Sequence, residues 1–217
     1  MKEAIRYLAF GDSLTVGYGA SPGFGFVPQY AKALADELGC EVLPKNAGVN
    51  GLTTQYLLDS LRTDPELRAG IREADLITIT AGGNDLIQAA LPYVYEGDAN
   101  ILLAALQGYQ TNYREMLQLI RDMKGDAWDR SAVVLVGLFN PLPLMAEAAV
   151  WVRKFNEFLR ELACGNVFVV DIYDAFVGKE RELLYSDHIH PNAKGYAVMA
   201  DHIVRSVPAQ LYAPLRK

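Results

Sequence analysis

Five short runs rich in apolar and β-branched residues alternate along this chain with segments whose apolar residues return every three to four positions. The runs are AIRYLAF (4–10), EVLPKN (41–46), DLITITA (75–81), AVVLVGLF (132–139) and NVFVVDI (166–172). The helix-like segments cover roughly 27–38, 54–62, 100–123, 146–163 and 193–206. Strands that are apolar almost throughout must be covered on both faces, and helical crossovers supply that cover in parallel sheets. The pattern predicts a three-layer α/β/α fold around a five-stranded parallel sheet. No repeat, low-complexity tract or linker interrupts it, so a single domain is expected over residues 1–217.

Polar or glycine-rich clusters close the first four runs: GDS (11–13), NAGVNG (46–51), AGGND (81–85) and NPLP (140–143). Open α/β sheets bind ligands beyond the carboxyl ends of their strands, near the point where strand order switches. With the order 2-1-3-4-5, the first three clusters come from neighbouring strands and converge on one crevice. The fifth strand then lies roughly 14 Å from the first, at ~4.8 Å per strand. Residues 173–186 (YDAFVGKERELLYS) are long enough to bring the chain back to that crevice.

The net charge of −6 argues against a nucleic-acid or anionic-membrane partner. No window approaches ~18 uninterrupted apolar residues, so no stable membrane insertion is expected. The opening MKEAIRYLAFGDS runs straight into a strand without a secretion-signal pattern, which predicts a cytoplasmic chain unless a leader has been removed. Cys40 and Cys164 stand outside any metal-type spacing and read as small, at least half-buried residues near helix ends.

Two serines compete for attention in AFGDSLTVGYGASPGFGF. Ser21 sits in GASPG, which matches the Gly-x-Ser-x-Gly nucleophile elbow letter for letter. That elbow needs a strand directly before the serine and the N–H of the next residue as an oxyanion donor. TVGYGA is not strand-like, and Pro22 has no N–H. Ser21 therefore reads as a turn residue. Ser13 has a strand behind it; its own bland alternative is a turn in which Asp12 or Ser13 bonds local amides.

A serine hydroxyl becomes a useful nucleophile only beside a base, and the base works best when a third group orients it. The chain has three histidines. His202 falls inside the last helical pattern and reads as a surface or packing residue. In SDHIHPNAKGY (186–196), the Asp187–His190 spacing lets a carboxylate reach back to the imidazole Nδ1. Pro191 holds His190 extended and Asn192 suits a helix N-cap, which favours His190 over His188. Oxyanion donors are available in the Ser13 N–H, a backbone N–H of NAGVNG and the Asn84 amide. The glycines of these clusters could equally mark ordinary tight turns.

Taken together, FGDSLTVG, NAGVNGLTT, AGGNDL and SDHIHPN resemble the blocks of the SGNH hydrolases, also called GDSL esterases and lipases. The resemblance runs in family order from residue 8 to about 196. It implies a flavodoxin-like fold, Ser13, His190 and Asp187 as a cofactor-free and metal-free catalytic triad, and an oxyanion hole of Ser13, Gly51 and Asn84. It also implies acyl-enzyme cleavage of a small-molecule ester or thioester. Around the expected mouth stand Leu14, Tyr18, Phe24, Leu86, Ile87, Leu142, Leu144 and Ile189, which together favour an uncharged acyl group. Residues 92–112 suit either a partial lid or a plain surface helix. The oligomeric state, the acyl length and the alcohol portion are left open.

Two other readings compete. Asp187, His188 and His190 contain an H-x-H pair that could share a metal, but no second ligand cluster completes the set. The glycine-rich GYGASPGFGF could cradle a phosphate in a non-catalytic binding module, yet it lacks the Lys and Ser/Thr of a P-loop.

Overall fold

A computed structural model describes residues 4–207; the two ends of the expected domain, 1–3 and 208–217, lie outside the described residues. In chain order the elements are β1 (Ala4–Gly11), α1 (Ser13–Val16), α2 (Phe26–Leu38), β2 (Glu41–Gly48), α3 (Thr54–Thr63), α4 (Pro65–Glu73), β3 (Leu76–Thr80), α5 (Gly83–Glu96), α6 (Ala99–Lys124), a 3₁₀ turn, β4 (Ala132–Val136), α7 (Ala146–Glu161), β5 (Val167–Val170), α8 (Tyr173–Phe176), α9 (Glu180–Leu183) and α10 (Ala193–Ser206). The five strands form one parallel sheet, as the sequence pattern predicts, in the order β2-β1-β3-β4-β5 that the family resemblance implies.

Burial on both faces explains the continuous apolar strands. Ile5, Tyr7 and Ala9 of β1 face a core shared with α2 and α10, while Leu8 and Phe10 face one shared with α3, α4, α6 and α7. Strands β3 and β4 alternate in the same way and are buried at every position. β2 is an edge strand with mostly exposed residues, which is where Pro44, lacking a ladder donor, is tolerated.

The boundaries depart from the sequence reading in several places. β2 runs on to Gly48, whereas β4 stops at Val136, so the GLF of its run becomes loop. α4 was not expected. Asp64 caps it by accepting the N–H groups of Glu66 (2.8 Å) and Leu67 (3.1 Å), with Pro65 in the first turn, where its missing N–H costs nothing. α5 was hidden by Pro92, which reads as a helix stop but lies inside this helix. Residues 92–112 form the end of α5 and the first half of α6. Leu102, Tyr109 and Asn112 of that stretch are buried. Cys40 is half-buried just past α2, but Cys164 is exposed; both are free thiols. His202 packs as expected, with Nε2 2.9 Å from the Asp171 carbonyl oxygen.

Candidate active site

The site begins where β1 gives way to the single turn α1. Strand β3 passes so close to Gly11 that a Cβ there would lie 2.3 Å from the Thr80 carbonyl oxygen. Asp12 caps α1: its Oδ1 accepts the Leu14 N–H at 3.0 Å and the Thr80 hydroxyl at 2.8 Å. Burial pushes the Asp12 carboxyl up, against the pull of those two donors. Each letter of Gly-Asp-Ser thus has a separate duty: close approach, capping, and presentation of Ser13 at the start of a helical turn. Gly11→Ala is expected to cost roughly 2–3 kcal/mol, lowering Tm by about 5–10 °C in a thermal melt.

Ser13 Oγ lies 2.9 Å from His190 Nε2, and His190 Nδ1 lies 2.7 Å from Asp187 Oδ2. The other carboxylate oxygen of Asp187 accepts the backbone N–H groups of Ile189 (2.9 Å) and His190 (3.0 Å). Partial burial acts to raise the Asp187 carboxyl, but these two amides and the His190 ring outweigh it and hold the group below its ordinary value. His188 sits at the apex of the turn with φ 60°, the one non-glycine residue at positive φ among the described residues. Its backbone bends the loop so that Asp187 and His190 meet, while its own side chain stays exposed.

The loop is closed from below. Tyr185 N–H donates to the His190 carbonyl oxygen at 2.7 Å, and Asn192 N–H to that of Leu183 at 2.8 Å. Asn192 caps α10 by accepting from Lys194 and Gly195, and its amide donates to the carbonyl oxygens of Glu182 and Leu184. Helical turns α8 and α9 carry the chain back across the sheet ends, the path expected of residues 173–186. Tyr18 lies against the His190 ring, with centroids 4.6 Å apart, and its carbonyl oxygen accepts the Tyr196 hydroxyl at 2.6 Å.

Asn84, in the first turn of α5, donates one amide N–H to the Leu52 carbonyl oxygen at 2.9 Å. An amide has two such donors, and the residue also lines the cleft over Ser13. Its neighbour Asp85 accepts both the N–H (2.9 Å) and the hydroxyl (2.5 Å) of Thr54, whose oxygen also accepts from Asn112 at 3.0 Å. Burial raises the Asp85 carboxyl. These bonds lock the loop after β2 to the start of α5. Gly51 occupies that loop at φ +77° in open space, beside Leu52 but outside the cleft lining.

The cleft measures about 240 Å³. Besides Asp12, Ser13, Asn84 and His190, every side chain that lines it is apolar. Of the residues expected at the mouth, Leu14, Leu86, Ile87 and Ile189 line it. The others do not. Tyr18 backs His190 from a neighbouring groove, Leu142 lies one compartment further along, and Phe24 and Leu144 project into solvent. Leu138, Phe139, Pro141 and Val152 also line the cleft but were not assigned to the mouth from the sequence. Pro141 was flagged by NPLP, but Val152 looks like any core residue of a helix. Ser21 is exposed in the separate groove beside Tyr18. Among the described residues no three His, Cys, Asp or Glu side chains are grouped to hold a metal ion.

Residues 9–198 match the GDSL-like lipase/acylhydrolase family. The chain is 38% identical to the spore germination lipase LipC of Bacillus licheniformis, over 92% of this chain and 94% of that protein. Its structure superposes on that of the lipase Lip_vut3 from a goat rumen metagenome with a TM-score of 0.90 at 37% identity, covering 95% and 99% of the two chains. TesA shares the fold, with a TM-score of 0.69 at 24% identity over 93% of this chain and 97% of that one. With the family match spanning every element that builds the site, this chain belongs to the GDSL-like lipase/acylhydrolase family and is a carboxylic ester hydrolase.

Proposed function

We propose that the enzyme cleaves uncharged acyl esters through an acyl-enzyme formed on Ser13. The observation that carries this reading is the unbroken chain of short contacts from Ser13 through His190 to Asp187, opening on an apolar cleft. Ser13 Oγ attacks the ester carbonyl as its proton passes to His190 Nε2. The alcohol leaves with that proton, and the acyl group stays on Ser13. Water then repeats the exchange: His190 takes its proton, hydroxide adds to the acyl carbon, and Ser13 departs reprotonated. Asp187 fixes the tautomer and stabilises the imidazolium at each half-reaction. Its lowered pKa keeps that charge in place until the pH falls through the lowered value.

The proposed oxyanion donors are the Ser13 N–H, the Gly51 N–H and the second amide N–H of Asn84. Ser13 opens a helical turn, where early N–H groups have no partner within the helix. The absence of lysine and arginine from the cleft lining supports an uncharged acyl group. Hydrolysis of p-nitrophenyl esters from acetyl to palmitoyl, with thioester and acetyl-xylan substrates alongside, tests the reading. Turnover of none of them would reject it.

Asn84 gives a sharper test of the oxyanion assignment. A donor that acts mainly in the transition state affects kcat and leaves KM nearly unchanged. Asn84→Ala is expected to lower kcat about 10²–10³-fold, the usual cost of one oxyanion donor. Asn84→Asp, nearly isosteric, is expected to be at least as slow, because it places a negative charge where the oxyanion forms. Near wild-type kcat in Asn84→Asp would remove Asn84 from that role.

A further inference from the structure

The cleft over Ser13 does not end at its visible wall. Leu86, Ile87, Pro141 and Val152 line it and also line a second, smaller hollow of about 90 Å³ on the side away from His190. Leu102 and Trp151, both buried, belong to its lining, as do Tyr93, Val94, Leu142 and Met145. Asn140 and Glu147 are the only side chains with an amide or a charge along it. The hollow exists because α5 continues through Pro92 and packs against α6 and α7, the three helices that enclose it. An apolar hollow of this size is a poor host for water, which needs two or more polar partners.

We infer that this hollow receives the distal end of the acyl chain, making the enzyme selective for medium-length over short acyl groups. The inference rests on the proposed reaction at Ser13 and adds to it the direction of the acyl chain. Leu86, Ile87, Pro141 and Val152, shared by both linings, form the waist between Ser13 and the hollow. A short acyl group is accommodated before that waist. A longer one passes between these residues and reaches Trp151. Each methylene that crosses into the hollow is removed from water, worth about 0.8 kcal/mol, or roughly fourfold in kcat/KM.

Two measurements test this, one of them independent of turnover. In the first, kcat/KM is followed from butyryl to decanoyl p-nitrophenyl esters in the parent enzyme and in Ala148→Phe, which fills the hollow from α7. Ala90→Phe fills it from α5 and serves if the first variant folds poorly. The parent is expected to climb with chain length, and the decanoyl-to-butyryl ratio to fall at least about tenfold in the filled variants. In the second, Trp128→Phe leaves Trp151 as the sole tryptophan emitter. Saturable quenching by ω-bromodecanoate, absent with ω-bromobutyrate and lost in Ala148→Phe, is the expected result. An unchanged chain-length ratio together with no quenching would overturn the inference while leaving the Ser13 reaction intact. Quenching in a protein that hydrolyses none of the esters would uphold the hollow and reject the Ser13 reading.

Discussion

Replacing His190 with alanine is expected to lower kcat/KM for an acyl ester by at least about 10³-fold, while His188→Ala stays within about tenfold of the parent. The two residues are separated by one position, yet their surroundings differ completely. His190 Nε2 faces Ser13 and its Nδ1 faces a carboxylate that is itself fixed by two backbone amides. His188 contributes a left-handed backbone turn and an exposed ring. An alanine at φ 60° is mildly strained, by roughly 1–2 kcal/mol. His188→Asn, a residue type that tolerates this conformation, is the better-folded control and is expected to retain activity. If His188 variants lost activity as His190 variants do, the assignment of the base would be wrong.

Ser13→Ala is expected to have a still larger effect, on the order of 10³–10⁶ in kcat, since members of such a relay act as a unit and losing one removes most of its benefit. The variant should fold, because among the described residues Ser13 Oγ bonds only His190, whereas Asp12 and Gly11 hold the turn. Ser21→Ala is expected to keep most of the activity, for its hydroxyl lies in a different groove. A melting curve beside the rates separates loss of chemistry from loss of fold.

Much of this arrangement is legible in the chain because its determinants are local. Strands buried on both faces must be apolar throughout, so β1, β3 and β4 announce themselves. Asp187 and His190 meet within a single turn, and their spacing carries that information. Pro191 and Asn192 frame the turn just as plainly, through restricted backbone and an N-cap. What was not legible depends on distant packing. α5 survives Pro92 because the faces of α6 and α7 supply a core around Ala89, Leu102 and Trp151, a compensation no local pattern reveals. The Asp85–Thr54–Asn112 cluster joins three elements far apart in sequence; Asp85 and Thr54 lay within flagged motifs, but nothing local pointed to Asn112 as their partner. Leu142 and Tyr18 were placed at the mouth by proximity to motifs, but loop direction after β4 and α1 turned them elsewhere.

The proposed reaction stands or falls on Ser13 Oγ as the nucleophile that carries the acyl group. The most direct measurement is intact-mass and peptide mapping of the enzyme after treatment with a fluorophosphonate, in the parent and in Ser13→Ala. One phosphonyl group on the peptide containing Ser13, absent from Ser13→Ala and formed in parallel with loss of esterase activity, is the expected result. Label on Ser21, or complete inactivation with Ser13 unmodified, would contradict it.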